Sequence, residues 1–427
     1  MKKVLIITYY WPPAGGAGVQ RVLKFAKYLP LFDWQPVILT VPNPDAPVED
    51  PTLENDIPDI CKVYKVKGFE PFSLYKKFTG KKSDEKIPAD VLVKKSGSVK
   101  EKISKFIRAN FFIPDAKIGW LKSAVREGEK IINNEKIDLI FASAPPATAA
   151  LIGAKLSERT GKKFIADFRD PWLEIVYNQK LNRSSLTKLI DSKLEIKTLK
   201  KADKIVTVSD DIAGLLESKV PGKNVSVIPN GFDESDFHDA PYPANDNFTM
   251  AYTGSMSVDR IPYPLMHALR QFKNEGIKNI KMNFAGRFAP EFYSLIKELG
   301  VEEFFQIRGF VPHRESTEIL QSADALLLVI DNVPNNKGFL TGKIFEYLGT
   351  RKPVYAIGPV DGDAHKILLE TESGKMVNYS DKTGAYELLK EFYENWKKGE
   401  NRFKFKVEKY SRKTNAEELA KLMDDLI

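Results

Sequence analysis

Short apolar runs alternate with stretches of helical period along the whole chain. "KVLIITYY" (Lys3–Tyr10) precedes "VQRVLKFAKYL", where Val22, Leu23, Phe25, Ala26 and Leu29 recur at helical spacing. "QPVILTV" follows. "IDLIFAS" comes before "PATAALIGAKLSERTG", which closes on a helix-stopping glycine, Gly161. "KKFIADF", "ADKIVTVS", the helical "DDIAGLLESK" and "NVSVIPNG" complete a first series. The pattern then restarts with "FTMAYTG", the helical "YPLMHALRQFKNEG", "IKMNFAG", "FFQIRGFVP", "SADALLLVID" and "KPVYAIG". Alternation of this kind predicts parallel sheets wrapped by helices, here as two doubly wound α/β units. Ligands of such sheets bind beyond the carboxyl ends of the strands, so two units facing each other would enclose a cleft. The polar, turn-rich "YPANDN" (Tyr242–Asn247) is the expected hinge, giving domains 1–241 and 242–407.

Length supports the division, since 427 residues exceed one ordinary core. The chain is 43% hydrophobic and 29% charged, an ordinary globular balance. A single cysteine, Cys61, leaves no internal disulfide to form and fits a reducing compartment. Met1, Lys2 and Lys3 before an apolar run resemble a leader peptide. Thr8, Tyr9 and Tyr10 interrupt that run, however, and no small-x-small cleavage site follows, so a first buried strand is expected. No apolar stretch approaches the roughly 20 residues that span a bilayer.

The formal charge of +8 is concentrated. Between Tyr75 and Arg108 stand eleven basic residues against four acidic ones, nearly the whole excess. Two readings stand side by side. One is a solvated excursion. The other is a patch for an anionic membrane surface, aided by the apolar bulk of "SKFIRANFFI" (Ser104–Ile113) and covering 75–113. No nucleic-acid-binding signature accompanies the patch, so nucleic acid is not expected as a partner.

Three loops at predicted strand ends carry candidate chemistry. In "YYWPPAGGAGVQR" (Tyr9–Arg21), Gly15, Gly16 and Gly18 open a helix. The best fit to G-x-G-x-x-G puts Arg21 at the third glycine, which argues against a dinucleotide fingerprint. A glycine-rich turn into a helix still offers backbone amides and a positive dipole end to a polar ligand. "ASAPPATAAL", with Pro145 and Pro146, makes a second strand-to-helix turn. "ADFRDPW" gathers Asp167, Arg169 and Asp170 at the end of a strand.

The most informative segment is "NNKGFLTGKIFEYLGTRKPVYAIG" (Asn335–Gly358). Gly338, Thr341 and Gly342 precede a helix whose start offers free amides, a hydroxyl and Lys343, an arrangement suited to phosphate. Glu346, one turn on, would repel phosphate but accept hydrogen bonds from a ribose diol. Together they suit a nucleoside diphosphate. "DGD" (Asp361–Asp363) has the Asp-x-Asp spacing of metal-dependent sugar transferases. Asp363 as the N-cap of "AHKILLE" accounts for it without a metal, and no metal site is expected.

With these pieces in order, the chain resembles a glycosyltransferase of family 4 with the GT-B fold. "YYWPPAGGAGVQR", "FIPDAKIGW", "DFRDPW", "IVTVSDDIAGLL", "VSVIPNGFD", "AYTGSMSVDR" and "TGKIFEYLGTRKPV" carry the resemblance, which is nearest to bacterial enzymes of surface-polysaccharide assembly. It implies a retaining, metal-independent transfer without a cofactor, from a nucleotide diphospho-sugar to a saccharide or lipid-linked acceptor. The single cysteine points to a cytoplasmic enzyme, and the membrane reading of 75–113 would place it at the inner face of the plasma membrane. A last helix, about 408–427, would pack back on the first domain. Glu346 matches the second Glu of the family's Glu-x7-Glu motif, while Gly338 stands where the first would be. Arg260 and Lys343 are the implied diphosphate pair, Ser255 replacing the family's usual arginine. The implied donor site also takes in Gly254, Gly309, Phe310, Val311, Gly338, Phe339, Leu340, Thr341 and Gly342. None of His238, His267, His313 and His365 falls where the family places a histidine after the "ADF" strand, leaving Asp167, Arg169 or Asp170 for that role. A sugar-nucleotide epimerase on the same fold, and a binding protein without turnover, are the rival readings.

Overall fold

The structure is a computed structural model. It describes residues 1–44, 46, 49–68, 106, 109–174, 183–237, 246–400 and 403–427. The chain divides into two compact units, Met1–Pro229 with Arg412–Ile427, and Asn230–Ser411. The expected 241/242 boundary and most of the "YPANDN" hinge lie outside the described residues, as does nearly all of the basic stretch 75–108.

The first unit holds a seven-stranded parallel sheet. Its strands are β1 (Lys2–Ile7), β2 (Trp34–Thr40), β3 (Lys62–Lys65), β4 (Leu139–Ala144), β5 (Lys163–Phe168), β6 (Lys204–Thr207) and β7 (Val225–Val227). They lie in the order β3-β2-β1-β4-β5-β6-β7. The helices are α1 (Ala17–Tyr28), α2 (Leu121–Glu135), α3 (Ala147–Thr160), α4 (Ser185–Lys201) and α5 (Asp210–Lys219). The central strands read as unbroken apolar runs because helices cover both faces. Leu5 and Ile7 enter one core cluster, and Val4 and Ile6 the other. Gly161, at φ 71°, ends α3 as expected.

The second unit repeats the order with six parallel strands: β8 (Phe248–Thr253), β9 (Ile280–Ala285), β10 (Phe305–Arg308), β11 (Ala325–Val329), β12 (Val354–Ile357) and β13 (Gly374–Val377). They lie in the order β10-β9-β8-β11-β12-β13. Its helices are α6 (Tyr263–Asn274), α7 (Pro290–Leu299), α8 (His313–Gln321), α9 (Gly342–Thr350), α10 (Asp363–Glu370) and α11 (Lys382–Lys397). The chain then returns to the first unit as α12 (Arg412–Asp424), whose Ala416, Leu419, Ala420 and Met423 join the cluster of α1.

An aspartate fixes the start of three strand pairs. Asp138 accepts the amide of Lys3 at 2.8 Å, Asp203 that of Phe164 at 2.9 Å, and Asp324 that of Thr249 at 2.8 Å. Each sits just before a strand, in "IDLI", "ADKI" and "ADAL", and supplies a partner to an amide at the neighbouring strand's edge.

Candidate functional site

Both sheets present their candidate residues just beyond the carboxyl ends of strands, where doubly wound sheets bind ligands. In the first unit, the glycine-rich loop after β1 enters α1 with Gly16 at the N-cap. Gly16 adopts φ 96° and ψ 168°, a conformation essentially restricted to glycine. Arg169, following β5, ties this loop to its neighbour. It donates to the carbonyl oxygens of Gly18 at 2.6 Å, Pro145 at 2.8 Å and Ala144 at 3.2 Å. Gly18, Pro145 and Arg169 therefore converge, with Pro146 next in line as the N-cap residue of α3. That helix start is completed by Asp115 of "FIPDAKIGW", whose carboxylate accepts the amide and the hydroxyl of Thr148, each at 2.8 Å.

The three charged residues of "ADFRDPW" separate. Asp167 has no exposed surface. It forms a two-pronged pair with Arg21, with Nη2 at 2.9 Å and Nε at 3.1 Å, and accepts the Ser143 hydroxyl at 2.7 Å. Arg21 also donates to the Pro229 carbonyl at 3.0 Å. The residue standing at the third glycine of the fingerprint is thus a buried strut, and Asp167 neutralises it. Burial lowers the pKa of Arg169, which its neighbours Asp167 and Asp170 partly restore. Asp170 is the exposed carboxylate of the three.

In the second unit, two cations meet beyond β8. Gly254 turns the chain at φ 115°, and a side chain there would collide with the Lys343 ammonium. Lys343, on the first turn of α9, donates to the Thr253 carbonyl and lies over the Tyr252 ring, 4.8 Å from its centre. Burial brings its pKa down to about 8; Glu346 opposes the shift and Arg260 adds to it. Arg260 grips Asp331 with Nε and Nη2, each at 2.7 Å, and donates to the Ser255 carbonyl at 3.0 Å. Burial alone would lower its pKa, but the Asp331 hydrogen bonds outweigh it and raise it. Ser255 thus receives on its carbonyl the guanidinium of Arg260, together with the Tyr252 hydroxyl at 2.8 Å.

α9 begins with Thr341 at the N-cap and Gly342 exposed behind it. The Thr341 hydroxyl is buried and makes no hydrogen bond within the protein. Glu346 lies one turn along, within electrostatic reach of Lys343. Gly338 is buried and Phe339 and Leu340 are half-buried. Gly309 and Phe310 are exposed beyond β10, and Val311 packs on the core.

The "DGD" expectation is corrected in one respect. Gly362, not Asp363, is the N-cap residue of α10. The extended Gly362 backbone puts Asp363 in the first turn, where it pairs with Lys366 at 2.9 Å, while Asp361 pairs with Lys337 at 2.5 Å. No group of three or more His, Cys, Asp or Glu residues gathers as metal ligands among the described residues.

Asp331 was not anticipated from the sequence. Its signal was its place at the carboxyl end of "SADALLLVID", the same rule that singled out the other loops. Asp115 and Ser143 were likewise read as sequence context and prove to be hydrogen-bond partners.

Two parallel, doubly wound α/β units, of seven and six strands, are the architecture of the GT-B fold. Residues 86–236 match the family model described as Glycosyltransferase Family 4. Over that stretch the chain is similar to that family of glycosyltransferases. The fold recurs in solved structures along the whole length. Sucrose-phosphate synthase from Thermosynechococcus elongatus has a TM-score of 0.62 at 14% identity, covering 100% of this chain and 99% of that one. Anabaena HepE, solved with UDP and glucose, has 0.59 at 15%, covering 100% of both. The lipopolysaccharide outer core galactosyltransferase WaaB has 0.56 at 13%, again covering 100% of both. No curated protein matches the sequence.

Proposed function

We propose that the chain moves a sugar from a nucleotide diphospho-sugar to a saccharide or lipid-linked acceptor, in cell-surface polysaccharide synthesis at the inner face of the plasma membrane. The convergence of Lys343, Arg260 and the start of α9 carries this reading. Lys343 and Arg260 lie together at the end of β8, beside amides with no helical partner and a buried hydroxyl in want of one. Such a cluster suits a diphosphate. Glu346 suits the ribose. HepE, of the same fold, holds UDP and glucose, which makes UDP the first probe.

The work of the site is electrostatic. As the bond from the anomeric carbon to the diphosphate breaks, its electron pair moves onto a phosphate oxygen, and the two cations stabilise that charge. The acceptor hydroxyl forms the new bond, and its proton passes to the departing phosphate oxygen. These cations take the part that a divalent ion plays in metal-dependent transferases, so no metal is required. Retention of configuration is carried over from the family resemblance. The acceptor is assigned to the first unit, where Gly16, Gly18, Pro145 and Asp170 border the strand ends. The basic stretch 75–108 and the likeness of fold to WaaB support a lipid-linked acceptor.

Calorimetry with UDP tests the donor site. Glu346→Ala should weaken binding by roughly 1.5–3 kcal/mol, the worth of hydrogen bonds to a charged group, and Glu346→Gln by less. Unchanged affinity in a folded Ala variant removes Glu346 from the site. Incubation of a UDP-sugar with and without acceptor separates the reactions. Conversion of the sugar nucleotide alone would reveal an epimerase, and persistent binding without transfer or hydrolysis a binding protein.

A further inference from the structure

Between β11 and α9 the chain runs through residues 331–341, and this loop holds both cations of the second unit. At its start, Asp331 takes the Arg260 guanidinium on both carboxylate oxygens, each at 2.7 Å. The next residue, Asn332, donates its amide to the Asp259 carbonyl at 2.8 Å. Side chain and backbone thus hold the same short turn, Val258–Arg260, at adjacent points. At its end the loop becomes Thr341, the N-cap residue, and delivers Lys343 to the first turn of α9. The middle of the loop is closed on itself. The Asn336 side-chain amide donates to the Asp331 carbonyl at 2.7 Å and to the Tyr379 hydroxyl at 2.9 Å. Tyr379, just after β13, shares its own proton between the carbonyls of Ile330 at 3.0 Å and Asp331 at 3.2 Å. The Lys337 carbonyl accepts the amide of Asp363 at 2.8 Å. Gly362 permits that approach, since a side chain there would stand 2.9 Å from the same oxygen.

We infer that Asp331 is a positioning residue of the donor site, acting on the diphosphate through Arg260, and that the loop 331–341 makes one bracket of the two cations. The inference deepens the transferase reading and rests on it. A carboxylate beside a phosphate site has two effects of opposite sign. Its charge repels the phosphate, and its hydrogen bonds aim the guanidinium. Here the second wins, because the pair is in contact along two parallel bonds and its opposite charges largely cancel at a distance. Asp331 and the Ser255 carbonyl take three of the five guanidinium N–H groups, so the rest can turn only where those three allow. An arginine without them would have to be ordered by the ligand itself. Asn336 and Tyr379 grip Asp331 by its backbone, and the loop they close leads directly into α9. The positions of Arg260 and of Lys343 are therefore set by one element, which is what a clamp on two neighbouring phosphates needs.

Calorimetry of the full chain with UDP tests this, with uridine, which has no phosphate, as the control. Asp331→Ala should weaken UDP by about tenfold, the worth of a charge-assisted hydrogen bond, and leave uridine unchanged. Asp331→Asn, which keeps the shape and one acceptor oxygen, should lose less. In an Arg260→Ala background, Asp331→Ala should cost nothing further, because a residue that acts only through another is not additive with it. Tyr379→Phe removes a hydroxyl behind Asp331 without touching either cation, and should weaken UDP by a smaller factor. Tighter UDP binding by Asp331→Ala would mean that the carboxylate only repels phosphate. Equal losses in both backgrounds would mean that it acts without Arg260. Unchanged UDP affinity with a lower melting temperature would leave Asp331 a structural residue. Each of these results overturns the inference alone, provided the wild type binds UDP. A wild type that binds no UDP overturns the donor-site reading and the inference with it.

Discussion

Lys343 is the site cation whose proton burial loosens. Its ordinary pKa of 10.5 is brought down to about 8 by burial, so near neutral pH it is charged but held with little margin. A bound diphosphate would favour the ammonium and raise that value again. Nucleotide affinity should therefore be insensitive to pH, as far as Lys343 sets it, below about pH 8 and fall above it, by up to about tenfold per pH unit, as the free protein loses the proton that the complex keeps. Calorimetry of UDP binding across that range measures the slope, and Lys343→Arg should abolish it, since a guanidinium stays charged. A slope that persists in the Arg variant would place the titrating group elsewhere. At the other candidate loop, Gly16 holds φ 96° and ψ 168° with open space around its Cα. Gly16→Val fails for reasons of backbone, not crowding, and should abolish transfer while leaving UDP affinity within a few-fold. Melting curves establish first that the variant folds. Loss of UDP binding in a folded variant would make this loop the nucleotide cradle.

Elements differ in how openly the chain announces them. The middle strands of both sheets are largely apolar because helices cover them on each side, and those runs were readable. Two of the four edges were not: β3 is "KVYK" and β13 "GKMV", short and half-polar, because an edge needs little apolar surface. The same distinction holds for the site. Lys343, Thr341 and Glu346 lie within one turn-and-helix and could be read as a local pattern. The pairs that hold the loops could not. Arg21 and Asp167 are 146 positions apart, Arg260 and Asp331 are 71 apart, and no spacing rule joins them before the sheets bring them together. The helix α3 shows the same principle at its N-terminus, where Pro146 has no hydrogen-bonding side chain to offer and Asp115, 33 residues before Thr148, supplies the cap. Asp115→Ala should cost about 1 kcal/mol or more, as the loss of an N-cap does, and should not alter UDP affinity. Urea denaturation reads the first quantity, and an unchanged midpoint would show that solvent replaces the cap.

The two units of the molecule differ in continuity. Residues 230–411 form one uninterrupted segment with its own six-stranded sheet and core clusters, whereas the first unit is closed by α12. The segment 230–411 expressed alone should therefore unfold cooperatively and bind UDP, measured by calorimetry and thermal melting; a molten fragment would show that the second unit depends on the first. In the full chain, Leu419→Ala should cost about 2–5 kcal/mol as a buried large-to-small change. Because α12 packs on α1 through Ala416, Leu419, Ala420 and Met423, and Asp424 accepts the Trp34 indole N–H at 3.0 Å, one face of the opening segment remains uncovered until the last helix exists. On the ribosome, where amino-terminal domains ordinarily fold first, this order is reversed. The second unit emerges whole while the earlier unit waits with an apolar groove uncovered, and a stop codon after position 411 would release a protein with its second unit finished and its first still open.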